Sequence, residues 1–170
     1  MSRLLPKKGA HCLNILVTGV GSTLGYGILE TIKQSGLNCQ VSGTDYLDTA
    51  VGLYQVDYAY ILPDIYQDPL KEKSWLNAVQ KIISERNIKY VLVGLDFEVP
   101  LFAKHKAHLE DQTGCKVIVS SVDVVGICND KWLTYCFLRD SGFDAPRSCL
   151  PGGLDEFVKS TPFPWIVKPR

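Results

Sequence analysis

Leu13 to Thr18 is a run of large aliphatic residues closed by Gly19, a pattern that predicts a short strand buried on both faces. From Thr23 to Ser35 the apolar residues Leu24, Ile28, Leu29 and Ile32 fall near helical spacing, and Gly36 stands where a left-handed C-cap is wanted. The alternation then repeats. Gln40 to Thr44 and Tyr58 to Leu62 predict further strands, and Tyr90 to Val93 and Val117 to Val119 predict stronger, β-branched ones. Between them, Trp75, Val79, Ile82 and Ile83 mark one helical stripe, and Leu101, Phe102 and His105 begin another that runs towards Leu109. Strands alternating with helices of this length imply a Rossmann-like α/β fold, a parallel sheet with helices on both faces, over residues 1–120.

Residues 121–170 follow another pattern. Ser120 or Ser121 suits the cap of a short helix through Cys128, and Asn129 or Asp130 that of a second through Ser141, stopped by Gly142. An extended piece from Arg147 to Leu150, a Pro-Gly-Gly turn, a helix from Leu154 to Ser160 and a strand from Trp165 to Lys168 complete the expectation. Ending at Lys168-Pro169-Arg170, inside that strand, the sequence reads as a fragment of a longer product.

Composition narrows the classes. The chain has 170 residues, 46% hydrophobic and 21% charged, enough to bury a core without disulfides or a structural metal. Eighteen basic and eighteen acidic residues give no net charge, so neither a nucleic-acid nor a membrane-surface partner is expected. Cys12, Cys39, Cys115, Cys128, Cys136 and Cys149 form no C-x-x-C pair, which suits thiols in a reducing cytoplasm. Arg3, Lys7 and Lys8 ahead of Leu13 imitate a signal peptide, but the apolar run is short and flows into glycines instead of a cleavage site.

The first candidate for chemistry is the turn from Thr18 to Gly27. Between a strand and a helix, glycines let a phosphate approach backbone N–H groups and the positive end of the helix. Gly19, Gly21 and Gly25 read G-x-G-x-x-x-G, one residue longer than the dinucleotide fingerprint, and Asp45 stands where a ribose-binding acid would. An NAD(P)-binding oxidoreductase or epimerase is one reading. Glycines that merely permit tight strand-to-helix packing are the other.

The later motifs change the balance. Asn129-Asp130-Lys131, followed by Thr134-Tyr135-x-Phe137-Leu138 and Gly142-x-x-x-Pro146, resembles the entry to the ATP-grasp superfamily. Phe163-Pro164-Trp165-Ile166-Val167-Lys168-Pro169 resembles the strand that carries the family's second ATP-contacting lysine. With the α/β layer standing where a pre-ATP-grasp domain would, the resemblance runs from about Leu13 to Arg170. It is closest to proteins similar to the carbamoyl-phosphate-synthase large subunit.

That resemblance implies a division into a pre-ATP-grasp domain, 1–120, and the opening of an ATP-grasp domain, 121–170. It implies that Lys131 and Lys168 contact the ATP phosphates, and that Gly19, Gly21 and Gly25 line the substrate side. The implied reaction is carboxylate activation through an acyl phosphate, captured by an amine, ammonia or a thiol. The glycine-rich loop over the phosphates and the magnesium ligands are expected beyond Arg170, leaving this stretch inactive alone. A homodimer and a cytoplasmic location complete the expectation. A non-catalytic ligand-binding module is the remaining alternative.

Two further groups carry weight. Asp96 and Glu98 follow a strand, at the edge where open α/β sheets bind ligands, and could orient a substrate amine; beside Val99 and Pro100 they also suit the start of a helix. His105 and His108 share a helix face, but no third ligand stands at metal-site spacing, so a structural role is expected.

Overall fold

The computed structural model describes residues 12–169; Arg3, Lys7, Lys8 and Arg170 lie outside them. The chain separates into two compact units, divided between Val119 and Ser120.

The N-terminal unit is a five-stranded parallel sheet: β1 Leu13–Thr18, β2 Cys39–Asp45, β3 Tyr58–Ile61, β4 Tyr90–Leu92 and β5 Lys116–Ile118. Their order is β3-β2-β1-β4-β5, with β1 paired to β2 from Leu13↔Cys39 to Thr18↔Thr44 and to β4 from Ile15↔Tyr90 to Val17↔Leu92. The direction of extension therefore reverses at β1, so the crevice at the carboxyl ends of β1 and β4 lies at a topological switch point.

Helices α1 (Thr23–Ser35), α2 (Glu72–Glu85) and α3 (Val99–Thr113) connect the strands. Because successive side chains leave a strand on opposite faces, β1 splits its apolar residues between two cores. Ile15 and Val17 join Val20 of the glycine turn and Leu29 of α1 on one face, while Leu16 joins Trp75, Val79, Ile82 and Ile83 of α2 and Phe102 and Leu109 of α3 on the other. Trp75 and Phe102, both fully buried, meet edge to face with centroids 4.9 Å apart.

Local chemistry sets the ends. Ser22 caps α1 by accepting from the Gly25 N–H at 2.9 Å, and Gly36 closes it in the left-handed region. Gly114 ends α3 in the same way.

The C-terminal unit holds α4 Val122–Asn129, α5 Lys131–Asp140 and α6 Leu154–Ser160. Ser121 caps α4, and the Asp130 carboxylate caps α5 by accepting from the N–H groups of Trp132 at 2.9 Å and Leu133 at 3.1 Å. Gly142, with φ 76°, follows α5 as expected. Among the described residues of this unit only Val125 is buried.

One element departs from expectation. Residues 165–168 form no strand. A strand needs a neighbour to take its N–H and C=O groups, and this unit pairs none among its described residues. Trp165 instead stacks on Phe163 at 3.9 Å and donates its indole N–H to the Thr161 carbonyl at 3.0 Å, while Ile166 and Val167 stay exposed.

Candidate functional site

The glycine turn sits at the carboxyl end of β1, and the chain itself uses its donors. The Gly21 N–H donates to Asp45 Oδ2 at 2.8 Å, the Val20 N–H to the Thr44 carbonyl at 3.1 Å, and the Ser22 N–H to the Gly19 carbonyl at 2.9 Å. The other oxygen of Asp45 accepts from the Leu47 N–H at 3.0 Å. A pyrophosphate at Gly21 would have to displace a carboxylate of its own sign, and Asp45 is 4% exposed with both oxygens already accepting from backbone N–H groups.

The glycines are required by packing. A Cβ on Gly25 would lie 2.0 Å from the Gly19 carbonyl oxygen, and one on Gly19, whose φ is 59°, would lie 2.2 Å from Leu95 Cγ. A Cβ on Gly21 would meet Ala50 Cβ at 2.7 Å. The turn thus brings β1, α1 and the segment after β4 to backbone contact. Ser22 ties the same three together, since its hydroxyl donates to the Gly94 carbonyl at 2.7 Å while accepting from Gly25.

Beyond β4 the two acids diverge. Asp96 is exposed in the turn before α3. Glu98 takes the cap position of α3 without capping it through its side chain, and is 3% exposed. Its Oε1 accepts from the Trp75 indole N–H at 3.2 Å, and Oε2 has no hydrogen-bond partner among the described residues. Burial pushes this carboxyl up to about 7; the Thr18 hydroxyl and the Trp75 indole oppose the shift and the Asp45 charge adds to it.

Gly19, Gly21, Gly25, Asp45 and Glu98 are therefore gathered at one sheet edge, with Asp96 on the turn beside them. Lys131 and Lys168 belong to the C-terminal unit, and both are exposed. Lys131 is the first residue of α5, and Lys168 lies in the segment without a ladder. Sequence reasoning missed Thr18 and Thr44, paired in register at the strand ends, and Trp75 as the partner of Glu98. A threonine at the end of β1 and another one residue before the end of β2 were the signal available.

His105 Nε2 lies 2.7 Å from Glu72 Oε1, which also accepts from Lys104 at 2.8 Å, and His108 faces Gln80 at 3.4 Å. No cluster of three metal-ligating side chains occurs among the described residues. No helix is long and apolar enough to cross a membrane among them either.

A parallel α/β layer whose glycine turn is closed by its own acid defines a Rossmann-like unit with the phosphate position of a dinucleotide fold already filled. The model of the PylC-like N-terminal domain matches residues 15–118, more than half of the chain, and the chain belongs to that family. No curated protein matches it.

Among solved structures, N5-carboxyaminoimidazole synthetase from Staphylococcus aureus, complexed with ADP, is 15% identical with a TM-score of 0.53, over 76% of this chain and 30% of that one. The biotin carboxylase subunit of pyruvate carboxylase is 18% identical with a TM-score of 0.55, over 77% and 28%. The biotin carboxylase domain of 2-oxoglutarate carboxylase from Hydrogenobacter thermophilus, in complex with MgADP, ADP and bicarbonate, is 19% identical with a TM-score of 0.56, over 89% and 33%. The chain thus spans about a third of the length of these structures. The likeness bears out the fold expected of a pre-ATP-grasp layer.

Proposed function

We propose that the chain is the N-terminal part of a cytoplasmic ATP-grasp enzyme, a ligase that joins a carboxylate to an amine, ammonia or a thiol, or a carbamoyl-phosphate-synthase-like relative. The observation that carries the reading is order: a PylC-like N-terminal domain over 15–118 is followed by Asn129-Asp130-Lys131 and then by Pro164-Trp165-Ile166-Val167-Lys168-Pro169. The first named neighbour binds ADP and another binds MgADP and bicarbonate, which supports ATP and magnesium as the cofactors and a small carboxylate as substrate.

In this reaction a substrate carboxylate oxygen takes the terminal phosphoryl group of ATP, releasing ADP, and the acceptor displaces phosphate from the acyl carbon. Two anions must meet in the first step, and fixed cations offset their repulsion. Lys131 and Lys168 are exposed and free of ion pairs among the described residues, so their charges are available for that task. By resemblance, the substrate side belongs to the N-terminal unit. Asp96, exposed in its turn, would hold an amine, and Gly19, Gly21 and Gly25 would shape the substrate side by close packing. A homodimer fits the reading, since the Hydrogenobacter neighbour is described as a dimer.

The oxidoreductase reading has less support, because the Gly21 N–H that a pyrophosphate would use is held by Asp45. Calorimetry with ATP–magnesium and with NADH, on residues 1–170 and on the gene product extended past Arg170, tests both. ATP binding by the longer product, lost in Lys131→Ala and Lys168→Ala, is the expected result. NADH binding by residues 1–170 would overturn it.

A further inference from the structure

Among the described residues, Glu98 is an acidic side chain that the sheet edge buries with one oxygen unsatisfied. It is 3% exposed, its Oε2 has no hydrogen-bond partner among those residues, and neither has Thr44 Oγ1, buried near the neighbouring strand end. An ionised carboxylate in such a place gives up its hydration, and the Thr18 hydroxyl and the Trp75 indole N–H, the latter at 3.2 Å, replace only part of it. A protonated carboxyl loses far less there, and it carries a donor of its own.

The position matters because Glu98 ends the turn that closes on the glycine loop. Its N–H donates to the Leu95 carbonyl at 3.1 Å, and its own carbonyl accepts the Phe102 N–H at 2.9 Å, which joins the turn to α3. The other end of the segment is clasped to the loop. Leu95 covers Gly19, the Gly94 N–H donates to the Thr18 hydroxyl at 3.3 Å, and the Gly94 carbonyl accepts from Ser22. Across the loop, Asp45 grips Gly21. Two acids therefore bracket one turn.

We propose that Glu98 is a proton-held latch: protonated, it keeps the Gly94–Glu98 segment seated on the glycine loop, and ionised, it unseats that segment. The groups that face it are Thr18 from β1, Asp45 from β2 and Trp75 from α2; Asp45 is the charged one among them, and it opposes ionisation. Every residue involved lies in the N-terminal unit, so the latch does not depend on the ligase reading.

The test compares residues 1–170 with the Glu98→Gln variant, by urea unfolding and by amide exchange expressed as protection factors, from pH 4.5 to 8.5. Folding that takes up one proton at Glu98 raises the unfolding constant of the parent relative to the variant about tenfold per pH unit from roughly 4.5 to 7, then levels off. Protection at Val20, Gly21, Ser22 and Gly94 should fall over the upper part of that range in the parent alone. Parallel stability curves, or protection that ignores pH, would overturn the latch. Should the variant not fold, carboxyl carbon NMR of Glu98 in the parent decides. A midpoint near 7 with matching loss of Gly94 protection supports the latch, and an ordinary midpoint, or one near 7 without that loss, overturns it.

Discussion

The Asp45 carboxylate lies 2.8 Å from the Gly21 nitrogen and 3.0 Å from that of Leu47, so one side chain at the end of β2 fixes the turn after β1 and the start of its own loop. Hydrogen bonds to a charged acceptor contribute about 1.5–3 kcal/mol each when buried. Asp45→Ala should therefore destabilise residues 1–170 by about 3–6 kcal/mol in urea unfolding. Asp45→Asn keeps one acceptor oxygen and should cost about half as much.

Helix α1 contains two glycines with opposite expectations. At Gly25 a methyl group would stand 2.0 Å from a backbone oxygen that cannot move without shifting β1, whereas at Gly27 nothing lies within 4 Å. Gly27→Ala should stabilise by about 0.5–1 kcal/mol through helix propensity alone. Gly25→Ala should cost more than about 3 kcal/mol or prevent folding. Thermal unfolding of the two variants side by side reads both signs.

Trp75→Phe removes the indole N–H that Glu98 accepts, at the cost of a small cavity where the second ring stood. The bond favours the ionised carboxyl, so its loss should raise the Glu98 midpoint above about 7. Glu98 titrates higher in the folded chain than the ordinary 4.5, so its stabilising contribution is complete below 4.5 and lost as pH rises through the folded value. In the variant that loss should end at higher pH, with about 1–3 kcal/mol less stability than the parent at pH 8, measured by urea unfolding.

Lys131 is a cation in the first turn of α5, where the helix dipole disfavours it. Lys131→Ala should leave stability within about 0.5 kcal/mol of the parent, or raise it slightly, and Lys168→Ala should leave it unchanged within the same margin. A loss of ATP affinity in the extended product, with unfolding curves that overlay, would separate function from folding at both positions.

The alternating elements of the N-terminal unit were legible because each is bounded by local chemistry. Gly36 in the left-handed region and the aliphatic run before Gly19 mark ends that the chain sets without help from afar. Residues 165–168 read as a strand from the same apolar cues, but a strand is completed by a neighbour, and no local signal reports one. Glu98 shows the limit within the site. Its place beside Val99 and Pro100 correctly marks the start of α3, yet the destination of its side chain is set by Trp75, twenty-three residues earlier on another helix. Asp45 was recognisable as an acid near the glycines; that it bonds to them, and not to a ligand, follows from the tertiary approach of β2 to the turn.

The bond between Asp45 and Gly21 makes the turn a receptor with its competitor attached. A tethered group acts at an effective concentration in the millimolar range or above, so a dissolved phosphate begins every encounter with Gly21 outnumbered. Converting this scaffold into a dinucleotide binder would begin by removing that built-in inhibitor, before a single favourable contact is added.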